Sequence, residues 1–109
     1  MLFSWDDWNI DHIAKHNVKP SEAEYIVRHA ASPFPREMGD EKYKVWGQTA
    51  DGRYLQVVLV YRSDDEVDYE SLSLTDLLAV EASEGPVIYV IHAMDLTPNM
   101  KRQYRKIME

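Results

Sequence analysis

The side chains able to exchange protons near neutral pH are four histidines, His12, His16, His29 and His92, and the chain has no cysteine. Without a thiol there is no disulfide, no thiolate nucleophile and no zinc–thiolate site. His12 and His16 stand four apart, the spacing that puts two imidazoles on one helical face, as in the metal motif H-E-x-x-H. Position 13 is Ile, not the Glu that makes that motif a hydrolase, so no metal is expected. The four glycines are isolated from one another and no G-x-S-x-G occurs. A phosphate-cradling loop and a serine nucleophile elbow are therefore excluded, and no cofactor is expected. His16 follows Lys15. The pair reads either as a general acid or base beside a phosphate-binding cation, or as two cations at the negative end of a helix. Arg62, beside Tyr61, either clamps a phosphate bidentately or faces water at a strand end. His92 alternates with Ile88, Val90 and Met94 and reads first as a half-buried, satisfied histidine.

Two further groups could meet a polyanion. Lys101, Arg102, Arg105 and Lys106 form a basic face near the C-terminus, suited to RNA backbone or an acidic partner, or simply solvated. Trp5, Trp8 and Trp46 could stack nucleobases, although tryptophans more often anchor cores and interfaces.

The elements that must position these residues are marked along the chain. Residues 2–5 read as a short edge strand. Asp6 is a suitable N-cap, and Ile10, Ile13 and Ala14 then recur along one helical face. Asn17 suits the left-handed position after the helix, with Val18 as the apolar residue beyond it. Ser21 and Glu24 read as a capping box opening a second helix, with Ala23, Ile26, Val27 and Ala30 as its buried stripe and Pro33 and Pro35 as its stop. Strands follow at 42–48 and 54–62, joined at Asp51-Gly52. In the second, Leu55, Val57, Leu59 and Tyr61 face one way, and Tyr54, Gln56, Val58, Val60 and Arg62 the other. Another strand spans 87–93. Thr97 and Pro98 open a last helix carrying Met100, Tyr104, Ile107 and Met108 on the face opposite its cations. This order predicts an α+β fold: a small antiparallel sheet with two N-terminal helices and one C-terminal helix.

At 109 residues and 45% hydrophobic content, the chain is sized for one domain with a real core. The start lacks a basic region followed by an apolar run, so no signal peptide is expected. No apolar stretch nears the ~20 residues that span a bilayer, so a cytoplasmic protein without membrane contact is expected. The net charge of −7 first argues against nucleic acid. Residues 63–85, however, hold eight acids and no Lys or Arg, which leaves the remainder near +1. The acidity belongs to one segment, at about 63–86, within which a short helix is expected near 75–82.

Several fragments occur together in order. They are Phe3-Ser4-Trp5-Asp6, Asn9, Lys15-His16-Asn17-Val18, Glu22-Ala23, Glu41-Lys42-Tyr43 and Gly47 through Arg53. Val57-Val58, Tyr61-Arg62, Val90-Ile91-His92-Ala93, Thr97 and Arg102 to Tyr104 complete the set. In these residues the chain resembles the BrnT-type toxins of bacterial toxin–antitoxin pairs, which have a RelE-like ribonuclease fold. The resemblance covers nearly the whole chain outside 63–86. It implies metal-independent RNA cleavage by 2′-hydroxyl attack and RNA as substrate, with the ribosome as one setting. It also implies neutralisation by a cognate antitoxin protein and leaves room for a homo-oligomer. Carried over, His16 is the acid or base, and Lys15 and Arg62 stabilise charge. Lys42, Arg53, His92, Arg102 and Arg105 are the expected RNA contacts.

Some positions depart from that pattern. Met94 and Gln48 stand where the family usually has Arg, Met100 where it has Glu, and Lys42 where it tends to have Arg. A missing arginine in a phosphate site removes transition-state stabilisation, which implies a weakened or inactive nuclease. The acidic segment replaces the family's short turn, and reads either as a solvated loop or as a mimic of RNA or antitoxin that screens the basic surface. A second reading of the whole chain is a non-catalytic protein-interaction module on the same fold.

Overall fold

The computed structural model describes residues 1–62 and 87–109. The acidic segment at 63–86, and the short helix expected near 75–82, lie outside the described residues. In chain order the elements are β1 (Leu2–Ser4), α1 (Asp7–Ala14), α2 (Pro20–Arg28), β2 (Arg36–Gly39), β3 (Lys42–Gln48), β4 (Tyr54–Arg62), β5 (Val87–Asp95) and α3 (Pro98–Ile107). The strands form one sheet in the order β1-β5-β4-β3-β2. The fold is α+β, as expected.

The sheet corrects two expectations. It is mixed and not purely antiparallel, because β1 runs parallel to β5, Leu2 beside Val87 and Ser4 beside Tyr89. A three-residue strand carries no signal of direction; that is set by α1, which follows β1 and lies back against β5. The strand β2 was not expected either. It pairs antiparallel with β3 through a turn in which Gly39, Asp40 and Glu41 all have positive φ, a hairpin conformation that Asn-Gly or Asp-Gly usually announces and this sequence does not.

The core lies on one sheet face. Val45 stands opposite Val57, and Val57 opposite Ala93. These three, with Leu59, Ile88 and Val90, are buried beneath Ile13 of α1 and Ala23, Ile26 and Val27 of α2. Burying a branched aliphatic side chain contributes roughly 1.5–3 kcal/mol, which sets the position of both short helices more firmly than their intrinsic propensity. Gly47 permits the approach of α2: a Cβ there would sit 3.2 Å from Cδ1 of Ile26. On the opposite face, α3 lays Tyr104 near Tyr54 and Phe34, and Trp46 donates its indole N–H to Oε1 of Gln56 at 2.8 Å.

The helix ends follow side-chain chemistry. Asp6 accepts from the backbone N–H of Asn9, whose side-chain oxygen accepts from the backbone N–H of Asp6. Asn9 is fully buried, and its amide also donates to the carbonyl of Ser4, tying β1 to α1. Asn17 takes φ 57°, while Val18 and Asn17 donate back to the carbonyls of Ile13 and Ala14, the bond pair that closes a helix through a left-handed residue. The second helix starts earlier than expected, with Pro20 at its first position. Glu22, not Glu24, reaches back to the N–H of Lys19, because Pro20 at the first helical position moves the cap two residues toward the N-terminus, from Ser21 to Lys19. Glu24 instead meets Arg28 one turn on. Thr97 caps α3 as expected, accepting from the N–H of Met100. Among the described residues no helix is long and apolar enough to cross a membrane.

Candidate functional site

Trp8, His12 and His16 are spaced four apart along α1 and into its C-terminal turn. This puts them on one stripe, turned away from the stripe of Asn9 and Ile13 that enters the core. The stripe meets β5 where that strand is irregular. Val58 is opposite His92 but Leu59 is opposite Val90, so Ile91 is an extra residue. Cross-strand partners share a face. Ile88 and Val90 therefore belong with Leu59 and Tyr61 on the core side, and His92 belongs with Val58 on the other, the side of Tyr89. His92 does not share a face with Ile88 and Val90, contrary to expectation, because a bulge reverses the alternation.

The result is a row of rings. Trp8 lies 4.8 Å from His12 in a parallel stack and 6.3 Å from Tyr89. The ring of His92 is 5.8 Å from that of His12 and 5.1 Å from that of His16, edge to face in both cases. At the Tyr89 end, the guanidinium of Arg62 sits 3.5 Å over the tyrosine ring. The Tyr89 hydroxyl donates to the carboxylate of Asp6, 3.0 Å from each oxygen. One line of side chains thus carries three imidazoles, two larger aromatics and a guanidinium.

Its electrostatics are uneven. Burial, then the nearby charges of His16 and His12, hold the His92 imidazole below its ordinary pKa of 6.5. Neutral imidazole is favoured at His92, while the His16 side chain is exposed. Burial and the Asp6 carboxylate raise the Tyr89 phenol, against the opposing effect of Arg62, so this hydroxyl stays protonated and acts as a donor. Imidazoles whose environments differ are the raw material of paired acid–base chemistry.

The other expected site residues are distributed as follows. Lys15 is exposed at the end of α1, one residue before His16. Lys42 stands opposite Val60, which stands opposite Tyr89, so it shares the face of the ring row two strands away, about 10 Å by strand spacing. Lys44, which sequence reasoning passed over, occupies the corresponding place in the row of Val58 and His92, with its ammonium 4.8 Å over Trp46. Arg102 and Arg105 lie on α3. Arg102 approaches the side chain of Asn99, and Arg105 with Lys101 flanks the ring of Tyr54. Met94 is opposite Gln56, and Gln48 donates to the carbonyl of Gly52.

Arg53 is turned inward. Its Nε and Nη2 reach the two carboxylate oxygens of Asp95 at 2.7 and 3.1 Å. Nη2 also donates to the carbonyl of His16 at 2.9 Å, and Nη1 to that of Asn17 at 2.6 Å and to Glu22 at 3.4 Å. The hydrogen bond to Asp95, with the charges of Asp95 and Glu22, raises the guanidinium pKa against its own burial, and the bond from Arg53 is the main cause holding the Asp95 carboxyl below its usual range.

Sequence reasoning thus brought His16, His92 and Arg62 forward but missed His12, Trp8, Tyr89 and Asp6 as their neighbours. The stripe of Trp8, His12 and His16 at i, i+4 and i+8 was a usable signal. The shared face of Tyr89 and His92 had none, since three residues apart in a regular strand means opposite faces. Among the described residues no group of three or more His, Asp or Glu side chains is arranged to hold a metal ion. Comparison with protein-family models, with curated proteins and with solved structures finds no match in any of the three.

Proposed function

We propose that the chain is a metal-independent endoribonuclease of the BrnT toxin type, acting on RNA in the cytoplasm and neutralised by an antitoxin protein. The observation that carries this reading is the approach of the His16 and His92 rings to 5.1 Å, on the row that ends in Arg62. Cleavage of RNA needs a base for the 2′-hydroxyl proton, an acid for the departing 5′-oxygen and cations for the phosphorane charge. His92, held neutral by its surroundings, takes the 2′-hydroxyl proton. The 2′-oxygen attacks the adjacent phosphorus, the bond from phosphorus to the 5′-oxygen breaks, and His16 in its charged form protonates that oxygen. The products are a 2′,3′-cyclic phosphate and a free 5′-hydroxyl, with one proton taken up and one released. Arg62 and Lys15 stand for the cations, and the exposed Trp8 offers aromatic surface to unpaired bases.

The test is incubation of the purified chain with a single-stranded RNA in excess chelator, followed by analysis of fragment ends. Cyclic-phosphate ends, lost when the scissile ribose lacks its 2′-hydroxyl, are expected. His16→Ala and His92→Ala should each slow cleavage about 100-fold or more, the usual scale for a lost acid or base. Intact RNA with wild type and both variants defeats the enzyme reading. A second reading, a non-catalytic protein-interaction module, draws support from Met94, opposite Gln56, at a position where the family pattern has Arg. That reading requires the intact-RNA result together with capture of the antitoxin.

A further inference from the structure

Arg53 joins three parts of the chain that carry or border the imidazole pair. It follows the turn after β3, where Thr49 accepts the Arg53 N–H on its hydroxyl and donates its own N–H to the Arg53 carbonyl at 2.8 Å. That turn holds the arginine's backbone. Its side chain then collects two carbonyls from the end of α1, the carboxylate that ends β5 and the first-turn glutamate of α2. The carbonyls of His16 and Asn17 lie in the turn just past α1, outside its helical ladder. Asp95 is three residues past His92 on the same strand. The guanidinium therefore binds the backbone of His16 directly, and the strand bearing His92 through one carboxylate.

We infer that Arg53 is a positioning residue that fixes His16 against His92, and not a contact for RNA. The inference rests on reading those two imidazoles as the reacting pair. His16 follows the last helical turn of α1 and its side chain is exposed, so little packing restrains it. The planar fork of arginine accepts carboxylate and carbonyl oxygens together in fixed directions, which a lysine ammonium does not reproduce. A displacement near 1 Å between reacting groups is enough to cost about 100-fold in rate, so a clamp on the His16 backbone acts on turnover without touching substrate.

The experiment uses the full chain with isotope-labelled histidine, comparing wild type with Arg53→Ala and Arg53→Lys. The readouts are ring-to-ring nuclear Overhauser effects between His16 and His92, the titration of His92, and the kinetics of RNA cleavage. In Arg53→Ala the ring contact should weaken or vanish. The His92 midpoint should move up toward 6.5, because one charge depressing it has moved away. The kcat should fall about tenfold to a hundredfold with KM within about twofold. Arg53→Lys should recover only part of this.

Retained ring contact with an unchanged His92 midpoint in Arg53→Ala overturns the inference. So does a raised KM whose salt dependence falls by about one unit of slope, the mark of a lost phosphate contact. If Arg53→Ala does not fold, Arg53→Lys decides, since it keeps the charge and loses the planar fork that holds the His16 carbonyl. An unchanged ring contact and titration there defeat the clamp. If wild type leaves RNA intact, the proposed activity fails, while the ring contact and the titration still decide whether Arg53 positions His16.

Discussion

Arg53 and Arg62 stand at the two ends of the same strand, and the molecule uses them in opposite ways. At the first end, the close of α1, the opening of α2 and the last residue of β5 converge, and their carbonyls and carboxylates surround the guanidinium. At the other end, the guanidinium carbon of Arg62 sits 3.5 Å from the centroid of the Tyr89 ring. An aromatic face occupies no N–H donor of a guanidinium held over it, so those donors can still meet phosphate oxygens. Both residues are arginines at a strand end. What separates them is which segments the topology delivers to each end.

That contrast can be broken in three places. The largest effect is expected on turnover: Arg62→Ala should slow RNA cleavage by roughly 100- to 1,000-fold, the range for a lost transition-state cation. Its urea midpoint should meanwhile correspond to a loss under about 1 kcal/mol, as expected for one partly exposed cation–π contact. A large drop in stability with normal cleavage would place Arg62 in the same structural role as Arg53.

The next effect is on stability. Arg53→Ala should lower unfolding free energy by about 2 kcal/mol, because the oxygens it serves lose charge-assisted bonds, although Asp95 and Glu22 regain water. Equal destabilisation by the two alanine variants would erase the distinction between the strand ends.

The smallest effect is on pH dependence. The Asp95 carboxyl has a folded-state pKa below its ordinary 3.8, chiefly through Arg53. Such a group contributes stability that is full above the ordinary value and is lost as pH falls through the folded value. Wild type should therefore lose stability on acidification through this window, and Arg53→Ala should lose less. Parallel acid limbs for the two proteins would show that the pair contributes nothing measurable.

Much of the scaffold was legible because short-range chemistry decides it. Asp6, Asn17, Thr97 and Asp51-Gly52 mark ends and turns through their own side chains or backbone tolerance, and the structure places each where its chemistry predicts. The stripes of Ile13 on α1 and Ile26 on α2 follow from helical period. The differences arise where a neighbouring residue, an unmarked turn or longer-range packing decides. Pro20 overrode the Ser21 cap, the parallel entry of β1 depends on where α1 returns, and the hairpin after β2 uses Asp40 and Glu41 at positive φ with no Asn-Gly signal.

At the site, residue type pointed to His16 and Arg62, but type alone could not separate Arg53 from Arg62. Nor could it place His92 beside His12 and His16, since that contact depends on an irregular register. Trp8 was considered only as one of three tryptophans. Its place in line with His12 and His16 is what distinguishes it.

The unpaired Ile91 gives β5 two reading frames. Before it, odd-numbered Tyr89 looks toward the imidazoles; beyond it, even-numbered His92 and Met94 do. Removing one residue between Tyr89 and His92 would leave them two apart, so a regular strand would keep both on the imidazole side; the extra residue is what lets their present spacing of three share that face. The functional face is therefore encoded by a count of residues as much as by their identity.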